Sequence, residues 1–226
     1  MSKLYIVATP IGNLGDITLR AIETFKKVDA VLAEDTRVTK KLLSHLGISK
    51  QLISFQEYSS PKVLERIMGL LEEGKSLALA TDAGTPGISD PGQRLIKSVQ
   101  GLEFMVEIIP IPGPSSLAAI ISVSDIDLSE FLFLGFPPHK KGRETFFKRV
   151  SDSKTPVILF ESPHRIEKAL IQFQKFCGDR YCNIGRELTK IYEEVFRGSL
   201  SEAQKHFVGV KQKGEFVIIL SCTDFI

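Results

Sequence analysis

The feature that most restricts the fold is an alternation in the first half of the chain. Short apolar runs are each followed by a loop rich in glycine, proline or acid and then by an amphipathic stretch. Leu4-Tyr5-Ile6-Val7-Ala8, Ala30-Val31-Leu32-Ala33, Leu52-Ile53-Ser54-Phe55, the run 76–80 and Met105-Val106-Glu107-Ile108-Ile109 read as strands. Runs that are apolar without a break suit strands buried on both faces, as in a parallel sheet. Between them the periodicity predicts helices. The first carries Ile17, Leu19, Ala21, Ile22 and Phe25 on its inner face, with Asp16 or Asn13 as cap. A second runs from about Val38 to Leu46 and stops at Gly47, and a third opens at Pro61 and ends before Gly74. A fourth reaches about Gln100, with Ser89 or Asp90 as its cap and Pro91 at its first position. Strands alternating with helices imply an α/β fold with a mainly parallel, doubly wound sheet.

The longest of the intervening loops follows the strand 76–80. From Asp82 to Gly92 it holds three glycines, two prolines, two aspartates and two hydroxyls. An ordinary strand-to-helix turn takes about two to six residues, and these residue types cannot pack a core. In open α/β sheets ligands bind outside the carboxyl ends of the strands, where this loop lies. Glycine lets a backbone approach a ligand closely and proline fixes its shape, so Asp82–Gly92 reads as a binding loop. Two companions have the same placement. Thr9-Pro10-Ile11-Gly12-Asn13-Leu14-Gly15-Asp16 follows the first strand, and Pro110-Ile111-Pro112-Gly113-Pro114-Ser115-Ser116 opens a helix of small residues. The loop after the first strand does not match the dinucleotide fingerprint G-x-G-x-x-G, since its only glycines are Gly12 and Gly15, and a ligand without a pyrophosphate would not need that fingerprint. Glu34-Asp35-Thr36-Arg37 ends the second strand and suits either polar ligand contacts or a helix cap with a solvated charge pair.

Ser124-Asp125-Ile126-Asp127 is the most polar break after the fifth strand, and it places a domain boundary between an N-terminal unit 1–124 and a C-terminal unit 125–226. The second unit reads as mixed α/β. Its strands are expected at Phe131–Phe136, Pro156–Phe160, Tyr181–Gly185, Tyr192–Arg197 and Phe216–Leu220, with a helix from Ile166 and a last helix introduced by Gly198-Ser199. The loop Pro137-Pro138-His139-Lys140-Lys141-Gly142-Arg143 concentrates basic residues that can hold phosphates by charge, and Lys148 and Arg149 extend that character.

Composition narrows the function classes. Hydrophobic residues make up 43% and charged residues 25%, as in soluble globular proteins. No apolar stretch approaches a membrane span, and the apolar run Leu4–Ala8 is too short for a secretory leader. Cys177, Cys182 and Cys222 form no C-x-x-C pair and read as reduced cytosolic thiols. The four histidines show no metal-ligand spacing, so no metal is expected. A net charge of +2 leaves the question of nucleic acid to local patches.

Six segments in order carry a resemblance. They are Thr9–Asp16, Ala33-Glu34-Asp35-Thr36-Arg37, the Asp82–Gly92 loop, Pro112-Gly113-Pro114-Ser115-Ser116, Phe160-Glu161-Ser162-Pro163-His164-Arg165 and Gly185-Arg186-Glu187-Leu188-Thr189-Lys190. From about Leu4 to Leu220 the chain resembles the ribosomal RNA small-subunit methyltransferase I branch of the tetrapyrrole methylase superfamily. The resemblance implies two α/β domains with S-adenosylmethionine in the cleft between them, a cytoplasmic homodimer, and transfer of a methyl group to the ribose 2′-oxygen of a cytidine in the decoding region of 16S rRNA, within the 30S subunit. It further implies that Pro10, Asp82, Ala83, Gly84, Ile88, Ser115, Ser116 and Phe160 line the cofactor. Glu34, Asp35, Glu161, His164 and Glu187 are the candidate proton acceptors. Arg37 and Arg186 are candidates to lower the hydroxyl pKa. RNA contacts are expected from His139, Lys140, Lys141, Arg143, Arg165 and Lys190. The chain departs from the family at Gln56-Glu57-Tyr58-Ser59, where members commonly carry a histidine-containing stretch, and many members continue past the final strand. Two alternatives stand beside this reading: a methyltransferase acting on a corrin or porphyrin precursor, and a cofactor-holding RNA-binding module without transfer activity.

Overall fold

The computed structural model describes residues 1–56, 58–88, 92–102 and 104–222. It divides into two compact units, Met1–Ser115 and Ser116–Ile226. The first contains β1 (Ser2–Val7), α1 (Leu19–Lys27), β2 (Ala30–Ala33), α2 (Thr36–His45), β3 (Gln51–Ser54), α3 (Pro61–Glu72), β4 (Leu77–Ala80), α4 (Gln93–Gln100) and β5 (Val106–Ile111). Its strands lie in the order β3-β2-β4-β1-β5, and every neighbouring pair is parallel.

The helices divide between the two faces as right-handed crossovers require. α1 and α2 connect strands in one direction along the sheet, and Ala21, Phe25, Leu42 and Leu43 pack with Val7, Val31 and Ala80 on one face. α3 and α4 run back, and Ile67, Leu71, Leu95 and Val99 pack with Leu4, Leu32 and Leu79 on the other. β1 and β4 are adjacent, yet their chains leave toward opposite faces. Their carboxyl ends are therefore the switch point of the strand order, the usual ligand position in such sheets.

Several boundaries differ from the sequence reading. Asp35 caps α2, so that helix begins at Thr36 rather than about Val38, and the strand expected at Tyr192–Arg197 runs from Glu194 to Ser199 because its pairing with 181–186 extends through Ser199. Thr18, not Asp16 or Asn13, caps α1: its side chain accepts from the Ala21 N–H at 3.1 Å. Asn13 instead caps a separate 3-10 turn, Leu14–Asp16. Leu19 is consequently the first residue of the helix, and it is 79% exposed rather than on the inner face. Pro110 and Ile111 belong to β5, not to the loop after it. β5 is an edge strand, where a residue without an N–H is tolerated. α4 begins at Gln93 with Gly92 as its N-cap; the expected cap at Ser89 or Asp90 and Pro91 lie outside the described residues, as does Glu57.

The second unit contains α5 (Ser116–Ser122), β6 (Leu132–Gly135), α6 (Arg143–Ser151), β7 (Val157–Glu161), α7 (Ile166–Cys177), β8 (Tyr181–Arg186), β9 (Glu194–Ser199), α8 (Leu200–His206) and β10 (Phe216–Leu220). Its sheet, β6-β7-β10-β8-β9, is mixed: β6 and β7 are parallel and the other neighbours antiparallel. α6, α7 and α8 cover one face through Phe147, Phe173, Leu200 and Phe207. Ser199 and Glu202 form a reciprocal capping box at the start of α8. α5 packs on β8 and β10. The segment after it is tied to β8 because Asn183, fully buried, donates to Asp125 Oδ1 at 2.8 Å and Tyr181 donates to Asp125 Oδ2 at 2.8 Å. These contacts place α5 with the second unit, so the division falls after Ser115 rather than at Ser124–Asp127. Among the described residues no helix is long and apolar enough to cross a membrane.

Candidate active site

In the first unit the parallel register brings the three expected loops side by side. Val7 of β1 pairs with Ala80 of β4 and with Ile111 of β5. Just beyond, Thr9 and Gly84 exchange backbone hydrogen bonds, Thr9 N–H to Gly84 O at 2.9 Å and Gly84 N–H to Thr9 O at 3.1 Å. The Thr9 hydroxyl donates to Thr81 O at 3.1 Å, and the Thr85 hydroxyl donates to Pro114 O at 3.0 Å. Thus Thr9, Thr81 and Thr85, which the sequence reading did not single out, lace the loops together. Their signal was a threonine at or just past a strand's carboxyl end. Gly84 holds φ of +86°, and a Cβ there would lie 3.2 Å from Ile11 Cγ2. Gly113 faces Ala8 so closely that its Cβ would stand 3.0 Å from the alanine's. Pro10, Ile88 and Ser115 of these loops are half-buried, whereas Asp82 and Ala83 are exposed.

The mouth of these loops is acidic. Asp82 Oδ1 accepts from the Asp35 N–H at 3.0 Å, joining the carboxyl ends of the adjacent strands β2 and β4. Burial, and then the Asp82 charge, push the Glu34 carboxyl above its ordinary range. Asp82 is likewise pushed up, first by burial and also by Asp35. Asp35 behaves in the opposite way. It caps α2 through the Arg37 N–H at 2.8 Å and grips the Arg37 guanidinium at 3.0 and 2.6 Å, which holds it at about 2. The Gln56 amide donates to Glu34 O at 3.2 Å, so Gln56, the first residue of the departing stretch, borders this site.

The described parts of the three loops, 9–16, 81–88 and 112–115, contain no lysine or arginine. A pyrophosphate would find no cation there. A ligand that carries a sulfonium and an ammonium group would find the Glu34–Asp82 pair, backbone groups and hydroxyls. The donor set therefore fits S-adenosylmethionine.

The remaining expected residues form two clusters in the second unit. Glu161 ends β7 with its side chain fully buried. Its Oε1 accepts from the Ser162 N–H at 2.8 Å and faces Arg165 Nε at 3.3 Å, while Oε2 is buried without a hydrogen-bond partner. Burial pushes this carboxyl up, against the Ser162 N–H and the charges of Arg165, Arg143 and His139. Arg165 also donates to Pro137 O and meets His139 Nε2 at 3.3 Å; Arg143 donates to Pro138 O at 2.9 Å and to Gln172 Oε1 at 2.6 Å. Two arginines thus brace consecutive carbonyls of the basic loop from within. Lys140, Lys141 and His164 are exposed. Phe160 packs against Phe133 and Phe136 with ring centroids 5.1 and 5.4 Å apart, and Ser116 is half-buried at the start of α5.

The second cluster follows β8. Arg186 is buried and donates to Lys213 O at 2.7 Å and Tyr192 O at 3.3 Å. Glu187 and Thr189 adopt positive φ, +49° and +68°. Glu187 is pinned because its Oε1 accepts from the Glu215 N–H at 2.9 Å and from Lys190 Nζ at 2.8 Å. Burial opposes ionisation of Glu187, but Lys190 and the Glu215 N–H outweigh it and hold the carboxyl below its ordinary range. Among the described residues no group of three or more His, Cys, Asp or Glu side chains is placed to hold a metal ion.

The family model for tetrapyrrole (corrin/porphyrin) methylases matches residues 3–204. A protein of Thermotoga maritima named ribosomal RNA small subunit methyltransferase I is 45% identical over 98% of this chain and 99% of its own length. One of the same name from Halalkalibacterium halodurans is 43% identical over 96% of this chain and 75% of its own. The crystal structure of a diphthine synthase superposes with a TM-score of 0.70 at 14% identity, covering 98% of this chain and 90% of that one, a likeness of fold alone. On the family match and on this level of identity, the chain belongs to the tetrapyrrole methylase family, in its ribosomal RNA small subunit methyltransferase I branch.

Proposed function

We propose that the protein methylates the ribose 2′-oxygen of a cytidine in the decoding region of 16S rRNA, acting as a homodimer on the 30S subunit. The observation that carries the reading is the similarity, over 98% and 96% of this chain, to two proteins named ribosomal RNA small subunit methyltransferase I. S-adenosylmethionine is the cofactor, and it supplies a methyl group already activated on a sulfonium. The chain's own task is then to place the hydroxyl in line and to remove its proton. Alignment of this kind can contribute roughly 7–11 kcal/mol.

In this reading Pro10, Asp82, Ala83, Gly84, Ile88, Ser115, Ser116 and Phe160 line the cofactor. Glu34 takes the hydroxyl proton. Its carboxyl stands above the ordinary range, which brings it closer to neutral pH, where a general base works best. Asp35 is too acidic for that task and positions Arg37. His164 is the second candidate base, an exposed imidazole two residues ahead of α7. Glu161, Arg186 and Glu187 act through what they hold: Glu161 orders Arg165, and Arg186 and Glu187 fix the strained turn that carries Lys190. His139, Lys140 and Lys141 contact RNA phosphates, and Arg143 and Arg165 support them.

The deciding assay offers labelled S-adenosylmethionine with 30S particles, naked 16S rRNA and a tetrapyrrole precursor in parallel. Label on a cytidine 2′-oxygen in the particle is the expected result. Label on the macrocycle alone would overturn the RNA substrate while keeping family and cofactor. Cofactor binding without label on any of the three would favour a binding module.

A further inference from the structure

Outside the loops already described, the first unit carries an open groove of about 580 Å³ between α2 and the edge strand β3. Its cations are Arg37, Lys40 and Lys50, its hydroxyls Thr36, Ser44 and Ser49, and no carboxylate lines it. Leu43, Ile48 and Leu52 complete the lining. Arg37, Lys40 and Ser44 follow one another at helical spacing, so they form one stripe along α2.

The cations are held ready. Lys50 donates one proton to Val28 O at 2.7 Å, which fixes its position and leaves two donors. Arg37 uses Nε and Nη2 on Asp35. The Lys40 side chain is exposed and makes no hydrogen bond or ion pair among the described residues. The groove begins at Thr36, directly after Glu34 and Asp35, and reaches Ser49 and Lys50 before β3. From Thr36 to Ser44 alone it extends about 12 Å at 1.5 Å per helical residue, enough for a run of backbone rather than a single phosphate.

We propose that this groove is a binding track for the sugar–phosphate backbone of the RNA strand, leading along the outer edge of the first sheet to the acidic mouth at Glu34. A lining with cations and hydroxyls but no acid suits a polyanion. Contacts of this kind position the strand without reading its sequence. The proposal rests on RNA being the substrate.

The test measures binding of a fluorescein-labelled oligouridylate to the full chain by anisotropy across a salt series, without cofactor. Each phosphate contact contributes about 0.7 to the slope of log affinity against log salt for a single strand. Lys40→Gln should weaken binding and lower that slope by about 0.7, and Lys40→Arg should restore both. Lys41→Gln is the control. Lys41 carries the same charge one residue on, about 100° round the helix and outside the groove lining, and its loss should leave the slope unchanged. Equal effects of the two glutamine variants, no effect of either, or no binding by the unmodified chain would overturn the track. Binding that depends on Lys40 in a protein that labels no RNA in the transfer assay would support the track and sink the proposed reaction. Normal labelling of 30S particles with an unchanged KM for RNA in Lys40→Gln would do the reverse.

Discussion

Gly84→Ala is the substitution that tests the construction of the candidate site most directly. Gly84 sits at φ +86° and closes the backbone bridge to Thr9. An L-residue in the left-handed region costs about 1–2 kcal/mol. The new Cβ would also stand 3.2 Å from Ile11 Cγ2, so Ile11, itself buried, must give by a few tenths of an ångström. Overpacking of that kind adds about 1 kcal/mol. The sum is about 2–3 kcal/mol, which at about 2–4 °C per kcal/mol lowers Tm by about 4–12 °C. Gly47→Ala supplies the comparison. Gly47 has φ +68° but nothing within 4 Å of its Cβ position, so it should lose only the backbone term, about 1–2 kcal/mol. The two variants separate in calorimetric titration with S-adenosylmethionine. If the Thr9–Gly84 bridge shapes the cofactor crevice, each 1.4 kcal/mol transferred to binding raises Kd about tenfold in Gly84→Ala, and Gly47→Ala binds as the parent does. A Gly84→Ala protein with parental Tm and Kd, or a matching loss of affinity in Gly47→Ala, would refute the reasoning.

Three further outcomes are expected. Asp35 is held at about 2 in the folded chain against about 3.9 when unfolded. Its contribution is therefore complete above about pH 4 and disappears as pH falls toward 2, so the urea midpoints of the parent and Asp35→Asn should converge across that window; a difference constant from pH 2 to pH 6 would contradict the assignment. Glu161→Ala leaves Arg165, whose side chain is only 16% exposed, beside an empty space. Breaking a buried pair costs about 3–5 kcal/mol, and hydrogen exchange should rise at the amides of 139–142, since Arg165 no longer anchors Pro137; unchanged exchange there would show that the loop stands without its brace. Glu34→Gln should lower kcat by about 10²–10⁴ at saturating S-adenosylmethionine, with its affinity for the cofactor weakened as well, and a variant with parental kcat would move the base elsewhere, with His164 the next to test.

Much of the fold could be read from residue pattern because the pattern and the physics coincide. The unbroken apolar runs Val31–Ala33 and Leu77–Ala80 can be satisfied only where both faces are covered, and both became inner strands of the parallel sheet. Loops without core-forming residues had to lie at strand ends. What could not be read was which strands are neighbours. The Thr9–Gly84 bridge exists only because β1 lies beside β4, more than seventy residues away in sequence, and no local signal carries that order. Side-chain partners were equally hidden. Arg143 and Arg165 stand in the sequence as charges free to meet phosphate, but in the structure their donors are turned onto Pro137, Pro138 and Gln172. Charge can be counted from sequence; the direction of a guanidinium cannot.

That difference between free and occupied charge also orders the chemistry. Glu187 and Glu194 sit against lysine, arginine or histidine and are held below the ordinary carboxylate range. A carboxylate so stabilised gives up its partner only at a cost and makes a poor base. Glu34 and Asp82 have the opposite surroundings: among the described residues no cation is bound to either, and a like charge stands beside each, Asp82 beside Glu34 and Asp35 beside Asp82. Their ionised forms lack a counter-charge that a cationic ligand can supply. Binding of a sulfonium and ammonium group at this mouth would therefore be strongest where both acids are ionised, and affinity for S-adenosylmethionine should rise as pH climbs through the raised carboxylate range. Beyond Asp35, which pairs with Arg37, the sign of the lining reverses and the basic groove begins. A cationic cofactor and a polyanionic substrate would so be drawn to adjacent stretches of one chain segment, 34–40, each to the side that repels the other.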